Sequence, residues 1–386
     1  MNSRFSRAAL AALALAAACS NEQPTDPGAT PDITPEASRE RGPDSHRGPG
    51  FLITATNAVA GNQAVVYPRA ADGSLGSPAS YSTGGNGTGG GLGNQSGIAL
   101  DEDSRHLYVV NAGSNTISVF AVRGAGLALK QTIASGGTRP ISVAVSDRLL
   151  YVLNNGGTAN ITGFRVRHDG TLLALSYSTQ PLSTAAPNAS QVGFNRSERR
   201  LIVTEKATNS LLSFRLDEDG RPGPFEVTPS SGMTPFGFAV DRRGHVLVSE
   251  AFGGRPNESA LSSYRLRRGG FQTISASIPT TETAACWVAV SGDGRYAYVT
   301  NTASNTISGY ALSDRGELSL LEADGISGTT GKGPVDLATR PGLDYMYSLN
   351  SADGSISAFR VNRNGSLVTG TMTSGLPVGS NGLVVF

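Results

Sequence analysis

Seven copies of one antiparallel four-strand unit, closed into an all-β propeller, is the fold the sequence predicts, and three observations predict it. An aromatic residue recurs at Tyr67, Phe120, Phe164, Phe214, Tyr264, Tyr310 and Phe359, with separations of 53, 44, 50, 50, 46 and 49 residues. Two positions further on stand Val122, Val166, Leu216, Leu266, Leu312 and Val361, Arg69 being the one exception. The stretch Val288 to Leu318 shows what is repeated: VAV, YAYVTN and TISGYAL are strand-length apolar runs separated by Gly, Asp, Asn and Ser clusters. A period of about 50 residues with four strands per unit is that of a propeller blade.

The front of the chain lies outside this period. Met1 to Cys19 reads as a secretion signal, with Arg4 and Arg7 ahead of an apolar run from Ala8 to Ala18. That run is too short to span a bilayer, since a helix needs about 20 residues. Ala16-Ala17-Ala18-Cys19 resembles the lipobox of bacterial lipoproteins, with Leu15 one place earlier than usual. The resemblance implies lipidation of Cys19, a lipid anchor as the protein's only membrane attachment, and a place in the cell envelope. Ser20 in place of Asp implies the outer membrane if the organism has one; an ordinary cleaved signal peptide is the alternative. Residues 20–50 contain no Val, Leu, Phe, Tyr or Trp, so they cannot bury enough apolar area to offset the entropy of ordering, and a flexible tether is expected.

Residues 51–386 carry the blades. Phe51 to Asn57 matches the second run of the unit and Gln63 to Ala70 the third, so the first blade lacks its innermost strand. Gly382 to Phe386 at the other end of the chain matches that missing strand and has nothing after it. One C-terminal and three N-terminal strands complete the blade and close the ring, which removes two unpaired faces. The other units begin at Ser96, Ile141, Ala189, Phe236, Val288 and Val335. Hairpin turns between their third and fourth strands are marked by HDG at 168–170, EDG at 218–220, RGG at 268–270, RGE at 315–317 and NG at 364–365, with GAG at 124–126 in the second unit.

Composition bounds the function. Lys plus Arg number 31 and Asp plus Glu 30, so no excess of positive charge is available to hold a polyanion, and nucleic acid is excluded as an expected partner. Beyond Cys19, Cys286 is the only cysteine, so no intrachain disulfide is expected in the folded part. Gly85 to Gly90 satisfies GxGxxG but opens no helix, and Asp217 to Gly220 resembles a calcium loop but stands where other blades turn. With no HxH or HxxxH spacing a His-ligated metal site is not expected, and the single Trp argues against the quinone-cofactor propellers, so no cofactor is expected.

Antiparallel order writes the functional face in two places per blade: the approach to strand one and the end of strand two. Strand two ends at Asn57, Asn111, Asn154, Glu205, Glu250, Asn301 and Asn350. Asparagine there is explained by turn chemistry. The two glutamates break the rule, and carboxylates converging on a partly dry funnel can serve as acid and base or hold a cation, so Glu205 and Glu250 are the candidate catalytic residues. The competing reading has each carboxylate paired with an Arg or capping loop amides. The approaches, together with Lys206 beside Glu205, supply the candidate substrate-binding residues Arg139, Asn188, Gln191, Lys206, Trp287 and Lys332.

Tyr298-Val299-Thr300-Asn301, the SGDGR turn before it and the strand after it resemble the YVTN-type and lactonase-type seven-bladed propellers. Across residues 51–386 the sequence is similar to the 6-phosphogluconolactonase and 3-carboxymuconate cyclase family. The resemblance implies a funnel that takes a small sugar acid or related cyclic ester, with Glu205 matching a carboxylate of the family's fourth blade. It also marks departures. Where the family reads PHxH this chain has Pro187-Asn188-Ala189-Ser190, and where it reads GPRH this chain has Ala284-Ala285-Cys286-Trp287. Loss of those imidazoles removes a general acid/base suited to neutral pH. Two readings follow: a lactonase-like or cyclase-like enzyme, and a non-catalytic, lipid-anchored envelope propeller whose funnel binds a small molecule, glycan, peptide or protein.

Overall fold

The computed structural model describes residues 49–124 and 126–386; the expected signal, Cys19 and nearly all of the tether lie outside them. Seven antiparallel sheets follow one another around a central channel. The fourth blade shows the plan, with Ala189–Phe194 innermost, then Arg200–Glu205, Ser210–Leu216 and the outer Pro222–Pro229. In the first blade the C-terminal strand Asn381–Val385 pairs with Gly50–Ala55, which pairs with Gln63–Arg69 and then Ala79–Ser82. The ring therefore closes as the sequence predicts. The first blade's second strand ends at Ala55, two residues before the predicted Asn57, because the chain turns there with Asn57 in the left-handed region at φ 50°.

The seven periodic aromatics are buried in the third strands. A second set of aromatics joins the blades. Tyr108, Tyr151, Tyr298 and Tyr347, all in second strands, donate their hydroxyls to the carbonyls of Gly170, Gly220, Gly365 and Gly73 in the hairpin turn of the next blade, at 3.0, 2.5, 2.8 and 2.8 Å. Those glycines have φ between 80° and 86°, which a β-carbon disfavours. Burial raises the pKa of each of these tyrosines above the usual phenol range.

Asparagines of the second hairpin perform a further repeated task. The side-chain oxygens of Asn115, Asn209 and Asn305 accept the backbone amides of Arg139, Thr234 and Gly333 at 2.7, 2.7 and 2.8 Å. Each amide belongs to the residue just before, or at the start of, the next blade's first strand, and each of those residues is left-handed. Beyond it the inner strand is bulged against its partner, between Pro140 and Ser142, Ala189 and Gln191, Pro235 and Phe238, Ala285 and Val288, and Pro334 and Asp336. A bulge re-aims side chains. Here it re-aims the residues that line the channel.

Candidate functional site

The channel is filled by a segment of the chain that the repeat does not require. Between the first and second blades, residues 83–97 cross from the rim to the axis. Gln95 uses both ends of its amide on one residue of the sixth blade, donating to the Val288 carbonyl at 2.9 Å and accepting the Val288 amide at 3.1 Å. The Gln95 backbone amide donates to the Ser190 carbonyl of the fourth blade at 3.1 Å. Asn94 donates to the Ile141 carbonyl of the third blade and exchanges hydrogen bonds with Asn381 of the first. A β-carbon at Gly237 would lie 2.0 Å from the Gln95 side-chain oxygen, so the fifth blade leaves room for the plug by having glycine there.

Three of the predicted binding residues gather around this plug. The Trp287 indole donates to the Asn94 carbonyl at 2.6 Å and packs on Phe236 with ring centroids 5.0 Å apart. The Lys206 ammonium stands 4.3 Å above the Phe236 ring and donates to the Gly93 carbonyl at 2.5 Å. Gln191 does for the fifth blade what Gln95 does for the sixth, binding the Phe238 amide at 2.6 Å and its carbonyl at 3.1 Å. All three are buried. Their polar atoms are engaged with the protein itself.

Glu205 and Glu250 do not meet. Both are fully buried. Glu205 accepts the Ser183 amide at 3.0 Å, the Ser183 hydroxyl, and the Thr208 hydroxyl at 2.6 Å. Glu250 accepts the Gly232 amide at 2.8 Å and hydroxyls of Ser230, Ser262, Tyr264 and Ser277 at 3.1, 2.7, 3.3 and 2.6 Å. The two sets share no residue, so the expected convergence on one funnel pocket is not found. Each carboxylate instead fastens its blade to the incoming loop, in the place where Asn111, Asn301 and Asn350 bond third-strand hydroxyls. A buried carboxylate takes that place because it accepts several donors at once.

Arg139 and Asn188 are exposed at the left-handed approach positions of the third and fourth blades. Lys332 is exposed on the same face at the seventh blade, in a pocket of about 330 Å³ shared with Gly89, Gly90, Gly91, Asn305, Ser351 and Gly379. Glycines bring backbone rather than side chains to this wall. Asn57 pins them, accepting the Thr88 amide at 2.9 Å and donating to the Gly90 carbonyl at 2.7 Å. The end of the run Gly85 to Gly90, read from sequence only as a GxGxxG match that opens no helix, is thus part of one side of a pocket. Sequence reasoning missed that role, and also missed Asp336, which lines a separate cavity of about 590 Å³.

The comparisons place this geometry among known propellers. A family model described as lactonase, 7-bladed beta-propeller, matches residues 61–185 and 261–386. No curated protein matches the sequence. Among solved structures, a putative 6-phosphogluconolactonase from Bacteroides fragilis is 18% identical with a TM-score of 0.66, over 89% of this chain and 100% of that one. A putative 6-phosphogluconolactonase from Bacteroides uniformis is 18% identical with a TM-score of 0.68, over 86% and 98%. The periplasmic gluconolactonase of Pseudomonas aeruginosa is 17% identical with a TM-score of 0.68, also over 86% and 98%. At these identities the structures speak for the fold alone. The intervening segment 186–260, which holds Glu205 and Glu250, lies outside the family match. With two matched segments covering more than half of its length and all seven blades in place, the chain belongs to the lactonase seven-bladed β-propeller family.

Proposed function

We propose that this protein is a lactonase-family propeller that binds a small anionic ligand, a sugar acid or its lactone, without turning it over. The observation that carries the reading is the contrast between the acids and Lys332. Glu205 and Glu250 are fully buried with their oxygens occupied by amide and hydroxyl donors, whereas Lys332 is exposed in a pocket walled by glycine backbone. An ammonium beside exposed peptide groups suits a carboxylate or phosphate carrying hydroxyls. Titration calorimetry with gluconate and 6-phosphogluconate tests it, with saturable binding expected in wild type and loss in Lys332→Ala.

Lactone hydrolysis is the second reading, favoured by the family match. In it Glu205 would have to leave Ser183 and Thr208 to reach a substrate, and the Lys206 ammonium would have to leave Gly93.

We further propose attachment to the cell envelope through a lipid on Cys19. The first described strand runs from Gly50 toward Asn57, whose side chain touches the glycine wall of the Lys332 pocket. Pro49, where the described residues begin, therefore lies on the face opposite that pocket. The ligand-binding face would look away from the membrane.

A further inference from the structure

In blades five to seven, the hairpins between the first and second strands and between the third and fourth turn on the face opposite the Lys332 pocket. These hairpins interlock. The Arg242 guanidinium of the fifth blade donates to the Gly292 carbonyl of the sixth. A β-carbon at Gly292 would stand 2.8 Å from the Arg340 carbonyl oxygen of the seventh, so those two turns abut. Arg243 pairs with Asp314 in the sixth blade's outer hairpin, and Arg295 donates to the Arg363 carbonyl in the seventh's at 2.9 Å. The turns therefore form one continuous surface, and Arg242, Arg243, Arg295, Arg315, Arg340 and Arg363 are all exposed on it.

The acids of this surface do not balance its arginines. Asp314 is taken by Arg243, and Asp293 by Arg295 at 2.7 Å. Asp241 is buried on His245 at 2.8 Å, Asp344 is half-buried, and Glu317 accepts the Ser313 hydroxyl at 3.1 Å. Arg242, Arg315, Arg340 and Arg363 form no ion pair with a carboxylate among the described residues. Pro49, where those residues begin, lines a cavity of about 470 Å³ with Arg340, Gly342 and Phe386, so the surface adjoins the end of the propeller that leads back along the chain to Cys19. On the opposite face Arg255 is paired with Glu258 at 3.2 Å.

We propose that this arginine surface docks on anionic phospholipid headgroups and so orients the propeller with its Lys332 pocket away from the bilayer. The proposal deepens the envelope reading and rests on it for a membrane within reach. Guanidinium forks match phosphate oxygens bidentately, and each basic residue close to an anionic bilayer adds to the attraction. That attraction dies away within a Debye length, about 8 Å at physiological salt. The surface therefore orients an anchored molecule and does not by itself hold an unanchored one.

The test is sedimentation of the full chain carrying Cys19→Ala, which has no lipid of its own, with vesicles of phosphatidylcholine alone or with one-third phosphatidylglycerol. At about 25 mM salt the protein should partition about tenfold or more in favour of the anionic vesicles, and at about 150 mM that preference should largely vanish. Arg340→Glu with Arg363→Glu should abolish the preference. Lys130→Glu with Arg255→Glu, an equal change of charge away from this surface, should keep most of it; all four side chains are exposed, and thermal midpoints confirm that both variants fold. Equal partitioning onto both vesicles at low salt would overturn the proposal, even if Cys19 proves to carry a lipid. So would an anionic preference that survives in Arg340→Glu with Arg363→Glu, or retention on heparin without a vesicle preference, which would assign the surface to a soluble polyanion.

Discussion

Gln95, on the approach to the second blade, holds Val288 of the sixth by both its amide and its carbonyl, so a side chain from one side of the ring ties down backbone on the other. This pair makes the channel a packed core at mid-depth and divides it into a funnel pocket around Lys332 and a lower cavity around Asp336. Gln95→Ala strands two buried backbone groups of Val288. Each unsatisfied group costs about 1–3 kcal/mol, so the variant should lose about 2–6 kcal/mol in urea unfolding. Gluconate affinity should change little, because the Lys332 pocket is lined by other residues.

Glu250→Gln and Glu205→Gln should both destabilise the fold. An amide in place of either carboxylate can keep its oxygen on the fixed amide of Gly232 or Ser183, but its NH2 group then meets the hydroxyl of Ser277, or those of Ser183 and Thr208, which must rotate to accept, and every remaining bond loses its charge assistance. A loss of about 1–3 kcal/mol is expected, larger for Glu250, which accepts five donors. Chemical unfolding of the purified variants measures it. Unchanged stability in both would mean that these acids are not structural fastenings.

Stability should fall at alkaline pH through the joint tyrosines. Tyr108, Tyr151, Tyr298 and Tyr347 have folded-state pKa values raised by burial, so the folded state holds their protons more tightly than the unfolded chain. Their contribution is complete below the unfolded value of about 10 and is lost as pH climbs from there through the folded values. Tyr347→Phe should lose about 1 kcal/mol at pH 7, for the bond to Gly73, and show a shallower decline above pH 10. Thermal midpoints from pH 7 to 11 check both statements.

The blades and their closure were legible because each repeats a local signal: a third-strand aromatic at Tyr310, a DG-type turn at Gly220, a final strand at Asn381–Val385 that has no partner nearby in sequence. The SNT of the sixth-blade hairpin was legible as a turn. Its purpose, Asn305 receiving the amide of Gly333, was not, since the partners lie 28 residues apart. The two glutamates stood out correctly as exceptions, but their direction depended on Ser183, Ser230 and Ser277 in neighbouring segments, which no single-blade pattern relates to them. Asp336 was invisible because its position after a bulge is set by register, and register is not written in the residue itself.

Cys19→Ala should release the protein from membranes, because the tether offers no apolar or amphipathic segment to hold it there. Fractionation of cells expressing each form checks this, and equal membrane retention would rule out the lipid anchor. Removing residues 380–386 should lower the thermal midpoint far more than removing residues 20–45, since the innermost strand of the first blade goes with them.

Binding and turnover measured side by side on the same preparations test the functional reading most directly. Wild type, Lys332→Ala and Glu205→Gln would each be titrated with gluconate and 6-phosphogluconate and assayed for hydrolysis of the corresponding lactones. The predicted result is one saturable site in wild type and in Glu205→Gln, weakened about tenfold or more in Lys332→Ala, with lactone loss equal to buffer in all three. Lactone turnover in wild type that disappears in a stably folded Glu205→Gln, with Lys332→Ala unaffected, would contradict it.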